Sequence, residues 1–242
     1  MKIALAQCKS FPGDVAANTK HHLQLIEKAI ALKADAVFFP ELSLTAYEPA
    51  LAERLAFDIE DPRLTIFADK SLAHQLSIGV GVPLRQSEGV AIGMAITHPS
   101  GSSQAYLKEY LHDDEINFFS GGLKSQKLQL GGIEVAMAIC YELSLDAHLQ
   151  QAVTANTAFY IASVAKHQKG IVSGNQRLSE IASRFRIPAM MVNAIGMADG
   201  MLCVGQSSVW NAEGNMIGQL GESEEGILLY DSVTDSTTTT LL

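Results

Sequence analysis

The chain has 242 residues, of which 48% are hydrophobic and 18% charged, which supplies a sizeable core and excludes a disordered or fibrous protein. Its formal net charge is −9 and its pI about 5.2, and no Lys/Arg-rich run interrupts this acidity, so no nucleic-acid partner is expected. No apolar stretch approaches the roughly 18 residues that a membrane span needs, so no membrane association is expected either.

Short apolar runs recur along the whole chain and predict β-strands. Most are apolar on successive positions and are bounded by Gly, Pro or polar residues, as strands buried on both faces are. The clearest runs are residues 3–6, 36–39, 78–82, 91–97, 135–139, 159–164, 189–193 and 227–230. A less apolar strand-like run covers residues 101–107.

Helices are expected between these runs. Residues 15–33 place Leu23, Ile26 and Ile30 on one helical face. A second helix is expected to start at Asp61-Pro62 and to run to about residue 75, with Pro near its first turn. Two more helices are expected at about residues 145–155 and 175–185. Strands and helices that alternate in this way predict an α/β fold.

The last part of the chain changes character. Residues 205–218 form short alternating segments around the sequence NAEGN, which predicts a hairpin with a Gly-containing turn. Residues 236–242 are rich in Thr. No linker rich in Pro, Gly or Ser divides the chain. We therefore expect one domain over residues 1–242, with its core in about 1–232 and a loosely held tail in 233–242.

The three cysteines lie far apart and form no CxxC pair. Their odd number and their spacing argue against a disulfide framework and predict a reducing, cytoplasmic environment. The apolar run before Gln7 is too short for the core of a signal peptide, so we interpret it as a first strand. Cys8 and Cys203 do not stand at a strand-to-helix junction, and we assign them no role.

Three side chains that could take part in catalysis stand directly after strand-like runs. Glu41 follows Pro40, where an apolar setting would raise the carboxyl pKa and make a better base, although a helix cap or a solvent-facing Glu is an alternative. Lys108 follows residues 101–107 and could point inward, although it could equally be a surface lysine. Cys140 closes an apolar run where free backbone N–H groups favour a thiolate, and a buried structural cysteine is the alternative.

An acidic cluster follows the lysine. His112, Asp113, Asp114 and Glu115 carry ligand types that divalent metals accept. No HExxH, EF-hand loop or CxxC pair accompanies them, so we expect no metal site.

Together and in this order, the motifs resemble the nitrilase superfamily of carbon–nitrogen hydrolases. The similarity runs over nearly the whole chain, through KIALAQ, FFPELSLTAY, YLKEYL, AICYE, RIPAMMVNAIG, GQSSVWNAEGNMI and EEGILLYD. The family uses a glutamate, a lysine and a cysteine in that chain order, which by position are Glu41, Lys108 and Cys140. The resemblance implies a four-layer α-β-β-α sandwich, a homodimer or larger homo-oligomer, and hydrolysis of a small non-peptide amide without a cofactor.

In such a mechanism, Glu41 is the general base for the Cys140 thiol, and Lys108 and the backbone N–H of Tyr141 stabilise the oxyanion. The family usually adds a second glutamate after the lysine, for which Glu115 is the better candidate and Asp114 the alternative. Four aromatic residues flank these motifs and are candidates to wall a substrate pocket: Tyr47, Phe118, Phe119 and Tyr141. Core packing accounts equally well for the two Phe residues.

The chain departs from the family in two places. Tyr110 stands where many members have His, and the residues after Cys140, Tyr-Glu-Leu-Ser, replace a more common pattern of Asp and then Arg. Without that Arg, how a substrate carboxylate is held, or whether one is held, stays open. The Cys-Tyr pair favours the amidase-like branches over the true nitrilases.

Other functions remain open at this point. A Cys–His hydrolase could use His112, His148 or His167, and it would tolerate the loss of Lys108. The same thioester could serve an acyl transferase, and a non-catalytic ligand sensor could keep the fold. The identity of the amide, whether linear, ω-amide or N-carbamoyl, does not follow from the residues.

Overall fold

Two β-sheets organise the chain in a computed structural model that describes residues 1–122 and 126–242. In chain order the strands are β1 (Lys2–Gln7), β2 (Ala36–Phe38), β3 (Ser77–Arg85), β4 (Val90–Thr97), β5 (Ser103–Leu107), β6 (Leu128–Leu130), β7 (Ile133–Ile139), β8 (Thr157–Val164), β9 (Ala189–Asn193), β10 (Ile195–Ala198), β11 (Met201–Val204), β12 (Ser208–Trp210), β13 (Met216–Gln219), β14 (Gly226–Asp231) and β15 (Ser236–Leu241). The α-helices are α1 (Val15–Ala31), α2 (Ala52–Leu55), α3 (Thr65–His74), α4 (Asp146–Ala152) and α5 (Gln168–Phe185), and 3₁₀ turns cover Pro49–Leu51, Pro62–Leu64 and Cys140–Ser144.

The first sheet has the order β15-β14-β1-β2-β3-β4-β5, and the second has the order β13-β12-β9-β8-β7-β6. β1, β2 and β3 are parallel, and β5 runs in the same direction as β3 because both are antiparallel to β4. β7, β8 and β9 are parallel in the second sheet. A separate hairpin pairs β10 with β11.

The strands divide their side chains between two faces. On β1, Ile3 and Leu5 pack in a core that also contains Met137 and Ile161 of the second sheet, whereas Ala4 and Ala6 face the helices α1 and α3. A third core lies between the second sheet and the helices α4 and α5. This two-residue alternation builds the four layers helix, sheet, sheet and helix. The predicted α-β-β-α sandwich is confirmed.

The helix α1 illustrates why local sequence and tertiary packing agree. The Asp14 side chain caps its first turn by accepting a hydrogen bond from the Ala17 N–H at 3.0 Å. The face that it turns to the sheet is buried and includes Leu25, Ile26 and Ala29. It ends at Ala31, two residues before Lys33, which has a left-handed backbone with φ of 56°.

The predicted apolar strands all form, and the hairpin around the NAEGN turn pairs β12 with β13. One helix differs: α5 begins at Gln168, whereas the pattern placed its start at residue 175. Gly170 and Gly174 weaken the helical signal of this segment. Its buried residues, among them Ile171 and Leu178, nevertheless form one continuous face against the second sheet.

The prediction of a loosely held tail is wrong for residues 236–241. They form β15, which pairs with β14 along its whole length, from Ser236 opposite Asp231 to Leu241 opposite Gly226. The Thr237 hydroxyl also donates a hydrogen bond to the carbonyl of Ile217 in β13, at 2.8 Å. The consecutive Thr residues that suggested a polar tail are β-branched and therefore suit a half-exposed edge strand.

Candidate active site

The chemically active side chains lie at the carboxyl ends of strands from both sheets. Glu41 follows β2 and Lys108 follows β5 in the first sheet, while Cys140 follows β7 and Lys166 follows β8 in the second. The carboxyl ends of parallel strands are where α/β proteins place their ligand sites. Because the sheets face each other, these ends meet around one cavity.

Glu41 is held by the close approach of its loop to β3. The carbonyl of Gly81 accepts the N–H of Leu44 at 3.0 Å, and the Gly81 N–H donates to the Ser43 hydroxyl at 3.3 Å. A Cβ atom on Gly81 would lie 2.2 Å from the Pro40 carbonyl oxygen. Only glycine therefore lets β3 approach the loop that carries the carboxylate.

Cys140 stands at a sharp turn from strand to 3₁₀ helix. Its φ is 45°, a left-handed conformation that is uncommon for a residue with a side chain. The strained turn exposes part of the cysteine to the cavity, whereas Cys8 and Cys203 are buried. The first N–H groups of the following helix, including that of Tyr141, have no acceptor within the helix.

Lys108 is completely buried and bridges two carboxylates. Its Nζ donates to Glu41 Oε1 at 2.8 Å and to Glu115 Oε1 at 2.6 Å. The Tyr47 hydroxyl donates to the same Glu115 oxygen at 2.8 Å, and the N–H of His112 donates to Glu115 Oε2 at 2.8 Å. Of the two acidic candidates after the lysine, Glu115 therefore makes the contact.

Asp114, the alternative, is exposed and bonds His112 Nδ1 at 2.7 Å.

The charges of this group depend on one another. Burial disfavours the charged form of Lys108, but the carboxylate of Glu41, the thiol group of Cys140 and the carboxylate of Glu115 together raise the lysine pKa above its usual value. Burial raises the pKa of Glu41, and the Lys108 ammonium opposes that rise. Glu41 Oε2 is buried without a close hydrogen-bond partner in the described part of the chain, and the Cys140 thiol lies beside the carboxylate.

The thiol itself is predominantly protonated. Burial and the Glu41 carboxylate raise the pKa of Cys140, while the ammonium groups of Lys166 and Lys108 act in the opposite direction. A protonated cysteine requires a base before it attacks, and an unpaired carboxylate oxygen lies next to it. This arrangement can therefore activate a nucleophile by proton transfer.

The cavity beside Cys140 has a volume of about 310 Å³. Its walls include Tyr47, Lys108, Glu115 and Tyr141, so two of the four predicted aromatic residues face it. A larger cavity of about 790 Å³ lies at the amino ends of the strands, next to Met1 and the start of β3, and none of the predicted catalytic residues lines it. We assign the candidate site to the smaller cavity because it contains Cys140, the predicted nucleophile.

Phe118 and Phe119 do not wall this cavity, contrary to the sequence prediction. Phe119 is buried in the core between the sheets, and Phe118 is 46% exposed. Both backbone N–H groups donate to the carbonyl of Glu115 at 2.9 Å, which turns the chain at this residue. The turn that directs Glu115 inward to Lys108 carries the two rings away from the cavity.

Glu142 has a positioning function that its sequence context did not reveal. Its Oε2 accepts the N–H of Ile139 at 2.7 Å, and its Oε1 accepts the N–H of Glu109 at 2.6 Å. The Tyr106 hydroxyl also donates to Oε2, at 2.9 Å. One buried carboxylate thus joins the residue before Cys140 to the residue after Lys108. Burial raises its pKa to about 7.

Lys166 also lines the cavity, and the sequence analysis did not predict this residue as part of the site. The signal was present, because Lys166 follows the apolar strand β8 as Lys108 follows β5.

No hydrogen bond joins Cys140 to His112, His148 or His167 in the described part of the chain. His148 is buried away from the cavity, where its Nε2 lies 2.9 Å from the Tyr106 hydroxyl, and burial lowers its pKa to about 4. His112 and His167 line the cavity, but the Nδ1 of His112 bonds Asp114. Within residues 1–122 and 126–242, no group of three His, Cys, Asp or Glu side chains could hold a metal ion.

No helix in the described ranges is both long and apolar enough to cross a membrane.

A comparison with protein families decides the class of the chain. The model of the carbon-nitrogen hydrolase family matches residues 2–240. The chain belongs to the carbon-nitrogen hydrolase family. It is therefore assigned to a family of enzymes that hydrolyse carbon–nitrogen bonds, as the sequence resemblance predicted.

Curated relatives are distant. A glutamine-dependent NAD(+) synthetase of Rhodobacter capsulatus is 25% identical over 240 residues, which cover 95% of this chain but 43% of the relative. The carbon-nitrogen hydrolase chain thus spans less than half of the length of that synthetase. An (R)-stereoselective amidase of Pseudomonas sp is 23% identical, with 93% of this chain and 82% of the relative covered.

Solved structures of the family share the fold. The amidase of Nesterenkonia sp. AN1, in a structure with acrylamide added at its active-site cysteine, superposes with a TM-score of 0.87, 21% identity, and coverage of 97% of this chain and 94% of the other. A CN-hydrolase superfamily protein of Xanthomonas campestris with an arsenic adduct in its active site gives a TM-score of 0.85 at 18% identity, with 100% and 90% covered. At these identities the likeness establishes the architecture.

Proposed function

We propose that this carbon-nitrogen hydrolase cleaves a small non-peptide amide through a thioester at Cys140 and releases ammonia or an amine. One observation carries the proposal: a buried lysine is held between two carboxylates at the wall of a cavity that a partly exposed cysteine shares. Its relatives include amidases and glutamine-dependent synthetases, which agrees with an amide as the substrate.

The first step is attack on the amide carbon. The thiol is protonated because burial raises its pKa, and Glu41 takes the proton as the Cys140 sulfur bonds to the carbon. Glu41 then donates that proton to the departing nitrogen. In the second half, Glu41 takes a proton from water, whose oxygen attacks the thioester, and the proton returns to the sulfur as the acid leaves.

Two donors serve the oxyanion in both halves. They are the ammonium of Lys108 and the backbone N–H of Tyr141, which belongs to the uncapped first turn after the cysteine. One such donor typically contributes about 2.7–4 kcal/mol to lowering the barrier, or roughly 10²–10³ in rate. Glu115 keeps Lys108 charged and oriented, and the hydroxyl of Tyr47 orients Glu115.

We also propose that the enzyme forms at least a homodimer. Four exposed apolar side chains lie on two neighbouring elements, the first turns of α5 and the β10–β11 hairpin: Val172, Met197, Met201 and Leu202. A cluster of this kind is a common site of association. Light scattering after size exclusion, with Leu202→Glu as the variant, tests it. A monomer in both proteins contradicts it.

The decisive experiment measures ammonia release from small amides, nitriles and carbamoyl compounds. The Cys140→Ala variant should lose turnover completely and keep its circular dichroism spectrum. Cys8→Ala is the matched control because this cysteine is buried in the core beneath α1 and does not line the cavity, and it should keep its activity.

Turnover that persists in Cys140→Ala refutes the thioester mechanism. If water gives no product, hydroxylamine separates the remaining cases, since a thioester reacts with it to give a hydroxamate. Hydroxamate formation without hydrolysis would identify acyl transfer in place of the proposed reaction.

A further inference from the structure

Two lysines, Lys108 and Lys166, line the cavity, and they differ in whether a carboxylate pairs with their ammonium group. Lys108 is neutralised by the carboxylates of Glu41 and Glu115. The ammonium of Lys166 has no hydrogen bond or ion pair with any residue in the ranges 1–122 and 126–242, although Lys166 lines the same cavity and also a neighbouring one of about 220 Å³ beside α5. The mechanism proposed above does not use this second cation.

The backbone of Lys166 is fixed from two sides. Its N–H donates to Asn193 Oδ1 at 2.7 Å, and Asn193 Nδ2 donates back to its carbonyl at 3.0 Å. The N–H of Val204 donates to the same carbonyl at 3.3 Å. The loop that carries Lys166 is therefore anchored to both β9 and β11.

The aliphatic stem is packed as well. Cβ atoms built on Gly170 and Gly174, one turn apart on α5, would lie 3.3 Å from Lys166 Cβ and 3.7 Å from Lys166 Cδ. The stem thus lies along a strip of α5 that has no side chains, and the ammonium is presented at its end. A lysine that is ordered in this way loses little conformational entropy when it binds a ligand.

The charge of Lys166 acts on the reaction centre. It opposes the rise in the pKa of Cys140 more strongly than Lys108 does. The other charged groups at the cavity are the carboxylate of Asp114, which is exposed and bonded to His112, and the neutralised group around Lys108. A ligand that fills the cavity removes water from Lys166, which costs free energy unless the ligand supplies a counter-charge.

We infer that Lys166 binds an anionic group of the substrate, so that the preferred amide carries a carboxylate at the end of a short chain. The inference rests on the proposed amide hydrolysis and assigns its substrate class. The volume of about 310 Å³ suits a molecule of this kind. Lys166 is thereby a specificity-determining residue that contacts the substrate, and it is distinct from the residues that carry out the bond cleavage.

The test compares amides of equal length with and without the charge. Succinamate and glutaramate carry the carboxylate, and butyramide and valeramide are their neutral counterparts. In the wild type, kcat/KM should favour the anionic amides. Lys166→Met should lower kcat/KM for them by roughly 10- to 100-fold, mainly through KM, the range expected for a hydrogen bond to a charged group.

The loss for the neutral amides in Lys166→Met should be smaller, because it reflects only the effect of the Lys166 charge on the thiol. Lys166→Arg should recover part of the loss. Lys169→Met is the matched control, because it removes an exposed lysine from the first turn of α5 and should leave both classes unchanged.

An equal loss for both classes would mean that Lys166 only tunes the thiol, and it would overturn the inference. A wild type that prefers neutral amides overturns it also. Binding keeps this result separate from the proposed hydrolysis: calorimetry of glutaramate with Cys140→Ala and with Cys140→Ala/Lys166→Met needs no turnover. Binding that Lys166→Met abolishes supports the anion site even if the hydrolase mechanism fails, and no binding to either protein refutes it.

Discussion

Lys108 carries a charge that is fully buried. Its ammonium is inaccessible to solvent and is compensated by two carboxylates that are themselves buried. Such a group stabilises the fold only while all of its members are present, because removing one partner leaves an uncompensated charge in a medium of low dielectric constant. The proposed chemistry and the integrity of the local fold therefore depend on the same side chain.

Replacing Lys108 with Ala should reduce both activity and stability. We expect kcat to fall by roughly 10²–10³ because an oxyanion donor is lost. We expect the free energy of unfolding to fall by about 3–5 kcal/mol because Glu41 and Glu115 then face each other without a cation. Steady-state kinetics and urea denaturation measure the two effects.

Lys127→Ala is the control for this pair of measurements. Lys127 is partly exposed and lies 3.9 Å from Glu134, so its loss should cost less than about 1 kcal/mol. A Lys108→Ala protein with unchanged stability would contradict the burial argument, and one with a near-normal kcat would remove the oxyanion role.

At the scale of elements, Glu142 connects the turn after β5 to the turn after β7. Both of its oxygens accept hydrogen bonds from N–H or O–H donors, so the ionised form matches the geometry. In Glu142→Gln, an NH₂ group would face one of these donors. We expect kcat to fall by at least about tenfold with KM little changed, because the relative position of Lys108 and Cys140 shifts.

The pH dependence gives a second readout for Glu142. Its pKa of about 7 means that the tether loses its charge as the pH falls below neutrality, so wild-type kcat should decline there. Glu142→Gln should lack that part of the profile. Glu134→Gln is the control, because Glu134 lies at the other end of β7 and bonds Thr157 at 3.0 Å. Identical profiles for wild type and Glu142→Gln would refute the tether.

The helix α1 supports the Glu41 loop through His22. The ring stacks on Phe39 at a centroid distance of 4.1 Å, and its nitrogens bond the Asn18 carbonyl at 2.7 Å and the Ser43 hydroxyl at 3.0 Å. Burial lowers the pKa of His22 to about 3 from its ordinary value of 6.5. Between these two pH values the unfolded chain binds a proton that the folded chain does not bind.

The contribution of neutral, buried His22 to the free energy of unfolding should therefore be complete above about pH 6.5, and it should be lost as the pH falls toward 3. The expected contribution is on the order of 4 kcal/mol. Thermal unfolding followed at several pH values measures it. In His22→Gln the slope over this window should decrease, with His148 still contributing in the same direction. The exposed His74, changed to Gln, should leave the slope unaltered, and a parallel slope in His22→Gln would contradict the assignment.

The elements that the sequence predicts best are the ones whose signal is local. Strands such as β8 and β9 are apolar on most of their residues, and the fold needs that because helices or a second sheet cover both faces. The order of Glu41, Lys108 and Cys140 was visible through the resemblance to a family. The bond from Glu142 to Glu109 spans 33 positions in the chain, and no local pattern encodes such a contact.

The pairing of residues 236–241 was missed for the same reason. The Thr-rich segment itself has no apolar alternation that would predict a strand. The apolar strand signal lies in its partner, β14. Phe118 and Phe119 show the converse error: closeness to a catalytic motif in the chain did not predict which way a turn directs the side chains.

At the scale of the whole molecule, β15 contacts both sheets. It completes the first sheet beside β14, and Thr237 reaches β13 of the second. Deletion of residues 236–242 should expose the edge of β14, lower the melting temperature and promote aggregation, since an unpaired edge strand is a template for other chains. Differential scanning calorimetry and light scattering measure both effects.

A milder change isolates the bridge between the sheets. Thr237→Val keeps the shape and removes the hydroxyl, and it should cost about 1 kcal/mol. Removal of Leu242 alone should have a smaller effect than the full deletion. A deletion variant that melts with the wild type would show that β15 contributes nothing to the fold.

The division of the site between two sheets has a consequence in time. Glu41 and Lys108 come from one sheet and Cys140 from the other, and the two sheets face each other across the central core. Each half could acquire its own secondary structure early during refolding and still be inert. The recovery of turnover therefore reports when the two sheets dock. It should lag behind the recovery of the far-ultraviolet circular dichroism signal.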